Sequence, residues 1–189
     1  MTETYLIIGL GNPGREYRAT RHNVGFMLLD RLTITLKARF TRLQSKALVA
    51  SALYRERKII LAKPQTFMNL SGQSVQGLIH FYKLPLENLL IAHDDLDLPV
   101  GTIRIRPDGG SAGQKGMLST IERLGTDEFP RLRLGIGRRP GQMQIPDYVL
   151  QDFSKGDLTV VNETLERAAE AVFLWVTDGL DAAMNKYNG

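Results

Sequence analysis

The sequence predicts an α/β protein, a single domain in which helices sandwich a mixed central β-sheet, and three observations carry that prediction. Short β-branched apolar runs alternate along the chain with segments whose apolar residues recur at helical spacing. Two of the runs, residues 47–54 and 58–62, are separated only by Arg55-Glu56-Arg57, so at least one pairing is an antiparallel hairpin. The run Leu89-Leu90-Ile91-Ala92 is apolar without alternation, as a central strand covered on both faces must be. A length of 189 residues with 43% hydrophobic content suffices for one core. No linker, repeat or low-complexity segment divides residues 1–189.

The elements follow in order. Tyr5-Leu6-Ile7-Ile8 reads as the first strand, closed by Gly9 and Gly11. Val24, Met27, Leu28 and Leu32 then recur at helical spacing and predict a helix beginning near Asn23 with one apolar face. The hairpin comes next and Pro64 ends it. Residues 65–70 form a loop, and Ser71 is placed as the cap of a helix that buries Val75, Leu78, Ile79 and Tyr82. Pro85 breaks that helix. The central strand 89–92 delivers His93, Asp94 and Asp95 at its end, and residues 102–106 alternate isoleucine inward with arginine outward. A glycine-rich loop, 109–116, leads into a helix over 117–124, and residues 131–136 alternate again. Residues 138–146 read as irregular. Residues 158–177 carry helical spacing, and a short helix closes the chain after Gly179.

Composition narrows the function classes. The balance of 24 Lys and Arg against 20 Asp and Glu gives +4, which permits a polyanionic partner without demanding one. With no cysteine, disulfides, thiolate catalysis and cysteine-based zinc sites are excluded, and a reducing compartment fits. Neither an apolar stretch of membrane-spanning length nor a basic segment followed by an apolar core occurs. A soluble, cytoplasmic protein is expected.

Residues 9–26, GLGNPGREYRATRHNVGF, crowd glycines, arginines, asparagines and a histidine between the first strand and helix. That is where an α/β sheet presents its ligand site. Gly9 to Gly14 fit G-x-G-x-x-G, but a dinucleotide fingerprint needs the helix to open at the third glycine and an acid to end a second strand. Here the helical pattern begins near Asn23, and Asp30 lies inside it. Gly109-Gly110-Ser111-Ala112-Gly113 fits a serine nucleophile elbow, yet His22, His80 and His93 all precede Ser111, the reverse of the α/β-hydrolase order. His93, Asp94, Asp95 and Asp97 could be read as metal ligands, although one histidine beside loop carboxylates is more often a solvated acidic turn. On the residues alone, His22 and Asn23 also fit a structural loop with a helix-capping asparagine and a surface histidine.

The 9–26 stretch resembles the signature of bacterial-type peptidyl-tRNA hydrolases, and the resemblance continues through the chain. KPQTFMNLSGQSV at 63–75, HDDLDLPVG at 93–101, RLRLGIGRRPG at 131–141 and WVTDGL at 175–180 are similar to that family in its order and spacing. The resemblance implies the architecture read above and an esterase that cleaves the bond between a peptide's carboxyl and the tRNA 3′ ribose, recycling tRNA. It implies no cofactor or metal, no obligatory protein partner, and a monomer. Water activation then falls to a histidine, whose unperturbed pKa of about 6.5 leaves a neutral fraction at working pH. His22 is the candidate base, and the resemblance makes Asp94 the carboxylate that orients it, with Asp95 as the fallback.

The resemblance also implies that Asn12 and Asn69 contact substrate, Asn12 sensing whether the esterified amino acid is acylated. It implies that Tyr17 and Phe67 meet the tRNA 3′ end, and that Arg106 and Arg133 clamp the acceptor stem. Strand alternation could add Arg104, Arg131, Arg138 and Arg139 to one phosphate track. The sequence departs from the family where most members read His-Asn and this chain reads Gln114-Lys115. Lys115 could reach into the site or face solvent. The solvent-facing case is expected, because an ammonium beside His22 would oppose the imidazolium of the transition state. A catalytically silent RNA-binding relative is the rival class, against which the retained His22 and Asp94 argue.

Overall fold

The computed structural model describes residues 2–189, and its sheet is built outward from β1 (Thr4–Gly9). β1 pairs parallel with β4 (Arg57–Pro64) on one side and β5 (Leu89–Asp95) on the other, and β5 pairs parallel with β7 (Arg131–Gly135). Both edges are antiparallel. β3 (Ala47–Tyr54) folds back on β4 as the predicted hairpin, β2 (Arg42–Gln44) adds to β3, and β6 (Ile103–Arg106) adds to β7. The resulting order is β2-β3-β4-β1-β5-β7-β6, a mixed sheet of seven strands.

The two-residue period of the strands divides the core into two layers. Ile7, Leu61, Leu90 and Leu132 face α1 (Val24–Leu36), α5 (Lys155–Asp178) and α6 (Leu180–Tyr187). Leu6, Ile8, Ile60 and Ile91 face α2 (Ser71–Tyr82) and α3 (Lys115–Leu124). The expected sandwich is therefore present. No helix of the described residues is long and apolar enough to cross a membrane.

α1 meets the sheet closely because two glycines face each other. A Cβ on Gly25 would lie 2.6 Å from the Ala92 carbonyl oxygen and 2.7 Å from the Leu10 backbone nitrogen. Only glycine lets the first turn of α1 settle against the carboxyl ends of β1 and β5.

Several expectations need correction. Ser71 does not cap α2: it is the first helical residue, Leu70 holds the cap position, and the Ser71 hydroxyl donates to the Met68 carbonyl at 2.7 Å. The short 3-10 turn Met68–Leu70 runs straight into the helix and leaves no extended residue to act as a cap. α3 begins two residues earlier than its apolar pattern because the Gln114 side chain caps it, accepting from Met117 N–H. α5 likewise starts at Lys155, capped by Ser154. Part of the segment read as irregular forms α4 (Ile145–Val149) with Pro146 in its first turn. β5 continues through Asp95, so His93, Asp94 and Asp95 are strand residues and buried, at 2–3% exposure.

His93 bears on stability. Its Nδ1 donates to the Asp94 carbonyl at 2.8 Å, and burial, the largest cause, holds its imidazole below the usual histidine range. The unfolded chain takes up a proton near pH 6.5 that the native protein refuses, so the unfolded state binds more protons there and stability falls as pH drops below about 6.5. Urea unfolding between about pH 5 and pH 7 is expected to show this loss, at up to about 1.4 kcal/mol per pH unit, and His93→Gln should flatten it. An unchanged slope in His93→Gln would show that His93 is not its source.

Candidate active site

The site starts from a pair of amides. Asn23 ends a short 3-10 turn, Arg21–Asn23, and is 2% exposed. Its Oδ1 accepts the Asn12 backbone N–H at 2.9 Å, and its Nδ2 donates to the Asn12 carbonyl at 2.9 Å. It stands at the cap position of α1 but makes no side-chain cap bond, so the reading of Asn23 as a helix cap is wrong: its amide is spent across the loop. Asn12 in turn accepts the Met68 N–H on its own Oδ1 at 2.8 Å. Only the Asn12 Nδ2 is left to face the cavity, and it has no hydrogen bond among the described residues.

His22 sits beside this clamp. Its Nδ1 lies 2.8 Å from Asp94 Oδ2, the histidine side chain being 12% and the aspartate 3% exposed. A carboxylate only accepts, so Nδ1 carries the proton and Nε2 keeps a free lone pair in the neutral ring. The second Asp94 oxygen accepts from Gln114 Nε2 at 2.9 Å. Asp95, one residue on, points to the opposite side of β5. It accepts from Arg133 Nε at 2.6 Å and from the Asp97 N–H at 2.8 Å, so the fallback carboxylate is engaged elsewhere.

A cavity of about 320 Å³ opens over these groups, with Asn12, His22 and Asp94 on its floor and Phe67 and Asn69 on its rim. Ile145, Pro146, Val149 and Leu150 of α4 and its end supply an apolar wall. Arg21 holds that wall in place. Its Nη1 donates to the Tyr148 carbonyl at 3.2 Å and to Gln151 Oε1 at 3.3 Å, and its guanidinium stacks 4.1 Å over the Tyr148 ring. Phe67 is 63% exposed, a large apolar ring turned to solvent at a cavity mouth. Lys115 is exposed and also lines the cavity.

The remaining candidates lie outside the cavity. Tyr17 is half-buried at the end of the turn Arg15–Tyr17 and lines no part of it. Arg104 faces Arg133 and Arg106 faces Arg131 across β6 and β7, so alternation does bring four arginines to one face. Arg131 nevertheless leaves the track. It is 2% exposed and donates to the carbonyls of Phe129, Gly110 and Asp127, and burial, first among the causes, lowers its pKa. Arg106 is exposed, Arg133 is half-buried against Asp95, and Arg138 and Arg139 are exposed.

The discarded chemistries fare no better in three dimensions. Among the described residues, no three His, Cys, Asp or Glu side chains converge to hold a metal. Ser111 Oγ accepts from Gly113 N–H at 3.3 Å and does not line the cavity. The departure from the family falls on Gln114 and Lys115 together, and the buried contact, to Asp94, belongs to Gln114.

The family described as Peptidyl-tRNA hydrolase matches residues 6–189. A peptidyl-tRNA hydrolase of Alkaliphilus metalliredigens is 49% identical over 185 residues, covering 98% of this chain and 100% of the relative. One from Caldanaerobacter subterraneus is 48% identical over 185 residues, again covering 98% of this chain and all of the relative. The crystal structure of peptidyl-tRNA hydrolase from Acinetobacter baumannii superimposes with a TM-score of 0.93 at 33% identity, over 100% of this chain and 96% of that one.

Asn23 gives the site its testable weak point. Asn23→Ala strands a buried donor and a buried acceptor of Asn12, each costing about 1–3 kcal/mol when unpaired. A loss of about 2–4 kcal/mol in urea unfolding is expected; a loss under about 0.5 kcal/mol would show that water replaces the clamp.

Proposed function

The chain belongs to the peptidyl-tRNA hydrolase family, and from that membership we propose that His22, oriented by Asp94, activates the water that cleaves the ester between a peptide and the 3′ ribose of tRNA. The observation that carries this reading is the 2.8 Å bond between His22 Nδ1 and Asp94 Oδ2 at the floor of the cavity. Nε2 takes a proton from water as the oxygen attacks the ester carbonyl, and Asp94 stabilises the imidazolium so formed. The imidazolium then returns the proton to the departing ribose oxygen. The products are a free peptide and a tRNA ready for recharging.

Asn12 offers Nδ2 as a fixed donor, since its oxygen is held by Met68. A substrate presents a further carbonyl oxygen beyond the ester only when its amino group is acylated. Asn12 thereby reads the blocked amino terminus, while Asn69 on the exposed rim takes the peptide backbone. Phe67 stacks on the terminal base, Tyr17 supports the same tRNA end, and Arg106 and Arg133 hold acceptor-stem phosphates. Lys115 stays at the solvent edge without a chemical role. The whole of residues 1–189 acts as one domain, monomeric and cytoplasmic, without metal, cofactor or protein partner.

His22→Asn keeps similar bulk but has no basic nitrogen. It should lower turnover by about 10² to 10⁴ while tRNA binding persists, and Asp94→Asn should lower it less. Release of peptide from purified peptidyl-tRNA measures both. Near-normal turnover in His22→Asn would overturn the base assignment, and binding without release by the unaltered protein would favour a silent RNA-binding role.

Arg106→Ala and Arg133→Ala should each flatten the salt dependence of binding by about 0.9 or less in slope, with turnover at saturation unchanged. An unchanged slope with collapsed kcat would move these arginines from phosphate binding to the chemistry.

A further inference from the structure

Gln114 is 7% exposed, and neither end of its amide is free. Its Oε1 accepts the Met117 N–H at 2.7 Å, and its Nε2 donates to Asp94 Oδ1 at 2.9 Å. The orientation is dictated by the partners: a backbone N–H can only donate, and a carboxylate only accepts. A flipped amide would set oxygen against carboxylate and NH₂ against N–H. The start of α3 is pressed in so that this reach is possible. A Cβ on Gly116 would lie 2.6 Å from Met68 Sδ and 2.8 Å from Leu10 Cδ1, so glycine there lets the helix approach the strand ends.

We infer that Gln114 is a positioning residue of the hydrolytic site, the third member of a relay that runs Gln114 to Asp94 to His22. This rests on the reading of His22 as the base. Asp94 ends with one partner on each oxygen, Gln114 on Oδ1 and His22 on Oδ2. The Asp94 carboxylate has a broad, roughly two-fold torsion of its own. Gln114 closes that freedom and keeps Oδ2 in line with the imidazole Nδ1–H, so that Nε2 is held toward the cavity. An amide donor carries no charge at any pH.

Gln114 also caps α3, so the test must separate capping from positioning. Gln114→Ser retains an N-cap oxygen for Met117 N–H but is two carbons too short to reach Asp94. Gln114→His keeps an N–H donor. The measurements are kcat and KM on peptidyl-tRNA, the melting temperature, and the NMR resonance of the proton on His22 Nδ1. In Gln114→Ser, kcat should fall by about tenfold or more, within the roughly 10²-fold that a small misplacement of a reacting group can cost. KM should stay close to that of the unaltered protein, the melting temperature should fall because Asp94 Oδ1 loses its buried partner, and the Nδ1 proton should shift or exchange faster. Gln114→His should recover most of kcat. Unchanged kcat and an unchanged resonance in Gln114→Ser would reduce Gln114 to a helix cap and overturn the proposal. The resonance reads the contact without turnover, so a shifted resonance with unchanged kcat also overturns it. That failure is distinct from failure of the base, which shows as turnover retained in His22→Asn.

Discussion

The site depends on a side chain that never faces the cavity. The Asn23 amide closes a two-bond ring with the backbone of Asn12, and each further placement follows from it. Asn12 held in this way offers its oxygen to Met68 N–H, which fixes the loop that carries Phe67 and Asn69. Asn23 is also the next residue after His22 and the last before α1, so the same clamp sets where the imidazole begins. Parallel pairing of β1 with β4 sets the turns after both strands side by side, and the two amides lock those turns together. The net gain of such bonds is modest, but leaving them unmade in a buried setting is costly.

β5 solves a second problem, that of placing two acids side by side in a buried strand. The pleat sends Asp94 and Asp95 to opposite faces, and each finds its own partners, His22 and Gln114 for one, Arg133 and the Asp97 backbone for the other. Buried charges are tolerable only when paired. The separation also keeps the arginine of the outer strand from competing with His22 for one carboxylate. His93, the residue before this pair on β5, contributes a buried neutral ring bonded to a carbonyl.

Much of this was legible in the sequence wherever burial imposes a period. The central strands, the hairpin, α2 and α5 announced themselves through spacing, and the mixed sheet followed. β2 did not, because Arg42-Leu43-Gln44 is largely exposed and exists only through pairing with β3. α4 is a five-residue helix whose hold on the core comes from Tyr148 and Val149, too short for any period to show. Alternation placed Arg131 on the correct face, yet it could not reveal that three loop carbonyls would draw the guanidinium inward. Of the site, His22, Asp94, Asn12, Phe67 and Asn69 line one cavity. The partner of Gln114 was hidden because a glutamine inside a glycine-rich loop carries no period and no charge, so nothing in the sequence points it to Asp94.

Arg21 ties the apolar wall to the turn that bears His22. Besides its bonds to Tyr148 and Gln151, its own N–H donates to the Gln151 carbonyl at 3.0 Å, and Thr20 bridges to Asp152. Wall and imidazole are thereby fastened to one short stretch of backbone. α4 cannot swing outward to admit a bulkier peptide without dragging the imidazole from its place over Asp94. The cavity is open instead on the side where Phe67 and Asn69 stand exposed.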